Sequence, residues 1–244
     1  MSAYPVLNGG RTSGQSIYQT STVPKHRVGT RGVLMGGRSF YYGKAASSAA
    51  LDPGKRMQAE VIPATRANLA VTAAVAVGGT SVSITLGALL AAADDYQDGM
   101  MFVNDVDGEG HAYLIKTNPA IGSGATGVFT LYDGVAVALT TNSQVTLMKN
   151  PWKDIIIGAG AATNMTVGVP CVSIPASSYG WIQTWGPAAG WDSAATAIGS
   201  GISVSATAGK FAAQGGAAAE AIFGVQLYTG VDTEYYPKFL MIAP

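Results

Sequence analysis

Reactive side chains are scarce in this chain of 244 residues, and each shortage closes off a class of chemistry. There is one cysteine, Cys171, so a disulfide framework is excluded. Flanked by Pro170 and Val172, its thiol is expected to pack as a small buried hydrophobe. The two histidines, His26 and His111, are too few to build a zinc site with it. Pairings of His111 with Ser178 or Cys171 can be drawn, but no Gly-x-Ser-x-Gly elbow or flanking cysteine signature supports them. The Gly-Gly pairs at positions 9, 36, 78 and 215 lack the strand-to-helix setting of a phosphate loop. The expectation is a protein that is not an enzyme and takes no cofactor.

Charge is also thin. Asp, Glu, Lys and Arg make up 11% of the chain, against about 25% in a typical soluble domain. The balance is filled by small and β-branched residues, with 32 glycines. Disorder calls for high charge and low hydropathy, so this composition points instead to tight strands and many turns. A surface so poor in charge has little to keep copies apart, which suggests an assembled state. The first residues are polar and glycine-rich, and no secretory leader is expected.

Residues 67–93 hold no charge at all. Leu69, Val71, Ala73, Val75 and Val77 alternate along them, and Val82, Ile84 and Leu86 do the same after Gly78-Gly79. Period-two polarity with a glycine turn predicts a β-hairpin rather than a membrane helix.

The net charge is zero, but unevenly spread. Through Arg66 there are nine Lys and Arg against Asp52 and Glu60, a net of +7; the remainder has five against twelve acids, a net of −7. Such asymmetry suggests a basic segment that meets an acidic surface. The basic residues form no dense run, which favours a protein partner over nucleic acid. Lys25, Arg27, Arg31 and Arg38 are the candidate interface residues.

The apolar centre is expected at Tyr179–Gly186, entered through Val169–Pro175. In an extended strand Trp181, Gln183 and Trp185 share one face, and Ile182 and Thr184 the other. Trp181 and Trp185 are therefore the candidate core anchors. Glycines on either side and Pro187 beyond predict a short buried strand bounded by turns.

Further strands are predicted over Arg38–Ala45, Met57–Ile62, Met100–Val103, His111–Lys116, Gly127–Tyr132 and Val145–Met148. Leu89–Ala93 is read as a short helical turn. Residues 1–36, without a core-forming period, read as an extended basic arm. Residues 37–150 and 151–244 read as two β-rich domains, or as one interleaved fold, with the join at Pro151. The fold class is all-β: sandwich- or barrel-like domains of short antiparallel strands. Residues 192–223, rich in Ala and Gly, read as an insertion or a long meander.

Asp105, Asp107 and Glu109 alternate in the turn Asn104–Gly110 and faintly echo a calcium loop. The full loop spacing and the distal Glu are missing, and hairpin turns use Asp and Gly for backbone reasons alone. No metal is expected.

Three stretches resemble small virion proteins of tailed bacteriophages, the head decoration or capsid-stabilising family. They are Gly37–Ala45 with its Leu51-Asp-Pro-Gly-Lys55 continuation, Tyr96–Asp105 with Gly108–Lys116, and Gly168–Pro175 with Tyr179–Gly186, closed by Gly224–Leu227 and Phe239–Ile242. The resemblance implies a component of the capsid surface that bridges major capsid protein subunits as a homo-oligomer, with a trimer favoured. It assigns no residue a role. Two other readings compete. A host-recognition or carbohydrate-binding module would stack sugars on Trp152 and Trp191. A polymer hydrolase would need paired carboxylates across a cleft, whereas the clustered acids share one turn.

Overall fold

Side-chain alternation sets the architecture, and the strands it writes are short. In the computed structural model, residues 6–7, 14–34, 36–88, 90–215 and 221–243 are described, Val6 and Leu7 by backbone only. Gly9-Gly10, Arg11, Leu89 and Gly216 lie outside the described residues. The chain is all-β. Among the described residues its one helical element is a 3-10 turn at Ala64–Arg66, and no helix is long and apolar enough to cross a membrane.

The first strands are β1 (Val6–Leu7), β2 (Arg31–Leu34), β3 (Ser39–Lys44) and β4 (Met57–Gln58). They are followed by β5 (Leu69–Ala70), β6 (Ser81–Thr85), β7 (Met100–Asp105), β8 (Ala112–Thr117), β9 (Thr126–Leu131) and β10 (Gln144–Met148). Next come β11 (Ile156–Ile157), β12 (Thr166–Pro170), β13 (Tyr179–Trp191) and β14 (Gly201–Val204). The last are β15 (Phe211–Ala213), β16 (Gly224–Gln226) and β17 (Tyr235–Met241).

These strands fall into two units. Residues 62–150 form an insert, and residues 1–61 join 151–244 as the body that carries it. Pro151 is thus where the chain re-enters a unit that it left at Ile62. The second boundary, between Val61 and Ile62, has no counterpart in the sequence reading.

The insert is a six-stranded antiparallel sheet in the order β5-β10-β7-β8-β9-β6. Antiparallel bridging of Val71 with Ile84 brings its two edges together, so the sheet nearly closes as a barrel. Closure removes the unpaired edges on which foreign strands could add. Alternating residues fill the interior: Val82 and Ile84 from β6, Met101 and Val103 from β7, Phe129 and Leu131 from β9. The predicted hairpin is present only in part. Leu69 and Val71 are buried as expected, but β5 pairs with β10, and Val75 bridges Leu139. Ala91 bridges Ile121 instead of entering a helical turn.

The body is an open, half-barrel sheet built around β13. This strand is thirteen residues long and does not stop at Pro187. It pairs antiparallel with β3 from Tyr179 to Trp185 and with β17 from Trp185 to Trp191. Gly186, at φ +86°, lies where the partners change. There the chain takes a conformation that a residue with a Cβ rarely adopts.

Residues 14–34 are folded into the body rather than held out as an arm. Ile17 is buried with Phe40, Tyr42 and Trp181. Trp181 Nε1 donates to the Gln15 carbonyl at 3.1 Å, and the Tyr42 hydroxyl donates to Gln15 Oε1 at 2.7 Å. Ser21 bridges Tyr179, and β2 pairs with β3. One buried isoleucine and one buried glutamine suffice to tie down a segment without a periodic pattern.

Candidate functional site

A cleft of about 490 Å³ opens in the body alongside β13. Its walls are apolar, formed by Pro53, Val169, Pro170, Ala188 and Ala189, with Tyr18 and Tyr235 at the rim. The polar groups come from Arg38, Cys171 and Gln183.

Gln183 fixes this corner. Its Nε2 donates to the carbonyls of Trp185 at 3.1 Å and Pro187 at 2.8 Å, which aims Oε1 at Arg38. Arg38 donates to that oxygen from Nε at 3.2 Å and from Nη2 at 2.5 Å, and Nη2 also reaches Cys171 Sγ at 3.4 Å. The guanidinium carbon lies 5.0 Å from the Phe40 ring centre, a cation-π contact. Arg38 Nη1 has no partner among the described residues. The result is a fixed, half-buried cation in an apolar hollow.

Cys171 is half-buried there. Burial pushes its thiol pKa up, and the charge and hydrogen bond of Arg38 only partly oppose this. A protonated thiol is a poor nucleophile. His111 belongs to the insert and Cys171 and Ser178 to the body, and His111 Nδ1 donates to the Gly108 carbonyl at 3.0 Å.

The acidic turn joins β7 to β8 at the rim of the barrel. Asp105 Oδ1 accepts from the Val106 N–H at 2.9 Å, and Asp107 Oδ2 accepts from the Thr140 hydroxyl at 2.7 Å. These bonds shape the turn, as hairpin carboxylates commonly do. Val106, at φ +64°, is 44% exposed. The Glu109 carboxylate is exposed and has no partner among the described residues. Among the described residues, no group of three or more His, Cys, Asp or Glu could hold a metal.

The remaining candidates are scattered. Lys25 and Arg27 are exposed, while Arg31 is half-buried and donates to the Ser39 hydroxyl at 3.4 Å. Trp181 is fully buried, but Trp185 is only half-buried and meets Phe239 edge-on at 5.8 Å. A register shift between Gln183 and Trp185 breaks the alternation that would place both indoles together. Trp152 is buried and stacks on Tyr41 at 4.3 Å. Trp191 stacks on Tyr235, with Lys55 and Lys210 over its ring at 5.0 and 4.6 Å.

Sequence reasoning singled out Arg38 but not Gln183 as its holder. The three segments that form this corner are brought together by strand pairing, and no local motif announces them. No family model, curated protein or solved structure matches the chain.

Proposed function

We propose that this chain is a non-enzymatic virion structural protein that binds the outer capsid lattice of a tailed-phage head and bridges neighbouring major capsid protein subunits. The observation that carries the reading is the separation of charge between the two units. The body holds eleven Lys and Arg against seven acids, net +4, and the insert three against seven, net −4. Two units of opposite net charge on one chain suit a part that meets neighbours of different charge. The resemblance of the three stretches named above supports the choice of particle, and the sparse charge of the chain supports an assembled state, for which a homotrimer is the favoured form.

A carbohydrate-binding module would need open aromatic faces. Trp152 is stacked on Tyr41, and Trp191 is flanked by two lysines and Tyr235, so the two indoles that such a module would use are already engaged.

The test is co-sedimentation of the purified protein with purified tailed-phage heads that lack it. The expected result is binding that saturates at a fixed number of copies per head and weakens with salt. Heads that pellet free of the protein at every concentration would overturn the reading, and a positive glycan array beside that result would replace it.

A further inference from the structure

Four features of the cleft and the acidic turn fit one another. The cleft is largely apolar, and Arg38 is the one charged residue in its lining. Gln183 satisfies only part of that cation, and Nη1 is left without a partner among the described residues. The turn between β7 and β8 presents the converse: an exposed apolar side chain, Val106, within the acidic run Asp105, Asp107 and Glu109. Of these acids, Glu109 has a carboxylate with no partner among the described residues.

We propose that the acidic β7–β8 turn of one copy docks into the Arg38 cleft of a second copy, with Val106 against the apolar walls and Glu109 paired with Arg38. The occupant is a second copy because the complementary charge and the apolar tip are both carried by this chain. The body and the insert bear opposite net charges, so approach with the insert of one copy toward the body of the next is electrostatically favoured. Burying a half-satisfied guanidinium against a carboxylate, where water is displaced by Val106, makes the pair stronger than an exposed one. The rim tyrosines Tyr18 and Tyr235, 62% and 49% exposed, are placed to close over the docked turn.

Such a contact is heterologous. The surface used on one copy differs from that used on its neighbour, so successive contacts generate a closed ring or an open chain. A single turn in a cleft is a small interface and binds weakly, while ring closure makes the last contact intramolecular and raises the joint affinity. This inference rests on the assembly part of the proposed function and not on the capsid. Its test therefore uses the purified full chain alone.

Sedimentation equilibrium over a range of concentrations and two salt concentrations reads the contact. The expected result is reversible self-association of the full chain, weakened by salt. Arg38→Glu and Glu109→Arg should each weaken it by about tenfold or more, and the double reversal should restore it. Far-ultraviolet circular dichroism of each variant shows that the fold is kept. A wild-type chain that stays monomeric at every concentration overturns the proposal. So does association that survives both single reversals, or a double reversal that fails to recover. A monomeric chain that still binds heads would sink the docking contact while leaving the capsid reading intact.

Discussion

Lys238 and Asp192 form an ion pair at 2.8 Å with both side chains at 0% exposure. Gln226 Nε2 donates to Asp192 Oδ2 at 3.2 Å, and Lys238 Nζ also donates to the Gly190 carbonyl at 3.1 Å. Asp192 Oδ1 touches the ammonium charge but accepts no hydrogen bond. Burial pulls the Lys238 pKa down, and Asp192 partly restores it. Removing one partner strands a buried charge, which costs about 3–5 kcal/mol, whereas replacing both with apolar residues of similar volume is often neutral. Asp192→Ala should therefore lower urea stability by about that amount. The double variant Asp192→Leu with Lys238→Met should recover most of the loss.

His26 packs against Tyr42 and Trp181, with ring centres at 5.1 and 5.2 Å. Desolvation lowers its pKa below the ordinary 6.5. The unfolded chain then holds the proton more tightly than the folded one. The contribution to stability is complete above 6.5 and is lost as pH falls through the depressed folded value. Melting curves from about pH 7.5 to about pH 5.5 should show a falling Tm, and His26→Gln should flatten that slope. An unchanged slope would assign the acid sensitivity elsewhere.

Ile17 anchors the N-terminal segment under Trp181. Ile17→Ala should cost about 2–5 kcal/mol in denaturant unfolding. Deleting residues 1–32 should prevent the body from folding, because it removes Gln15 and Ile17 together with the first half of β2. A well-folded truncation would show that the segment only lies on the surface.

The insert has its own apolar interior, drawn from all six of its strands. Residues 62–150 expressed alone should give a single cooperative thermal transition with dispersed amide resonances. A chain that stays disordered would show that the barrel depends on the body.

The barrel was the readable part of the sequence. Val82, Ile84, Met101, Val103, Phe129, Leu131, Val145 and Leu147 alternate with outward residues, and a period of two is a local signal. Strand partnership is not local. Nothing around Met57 tells that β4 pairs with β11 and β12 on the far side of an inserted unit. Pro187 reads as a stop because proline gives no donor to a ladder, yet β13 continues through it beside Phe239. Trp185 leaves the Trp181 cluster through a shift of register that no spacing rule encodes. Gln183 reads as a core-facing neighbour of tryptophan, and its work of holding Arg38 depends on the carbonyls on either side of Gly186. The site was illegible for the same reason: its chemistry lies in how strands meet.

The division of the body around the insert imposes an order on the birth of the molecule. As the chain leaves the ribosome, every strand of the barrel has been made by Met148, while β3 still waits for β13. The insert can thus close first, while β3, which can already pair with β2, keeps its other edge without a partner across the whole time of that synthesis. Ser39–Lys44, rich in aromatic residues, is the segment left exposed during that wait. In a crowded cell it is the stretch that a chaperone would meet.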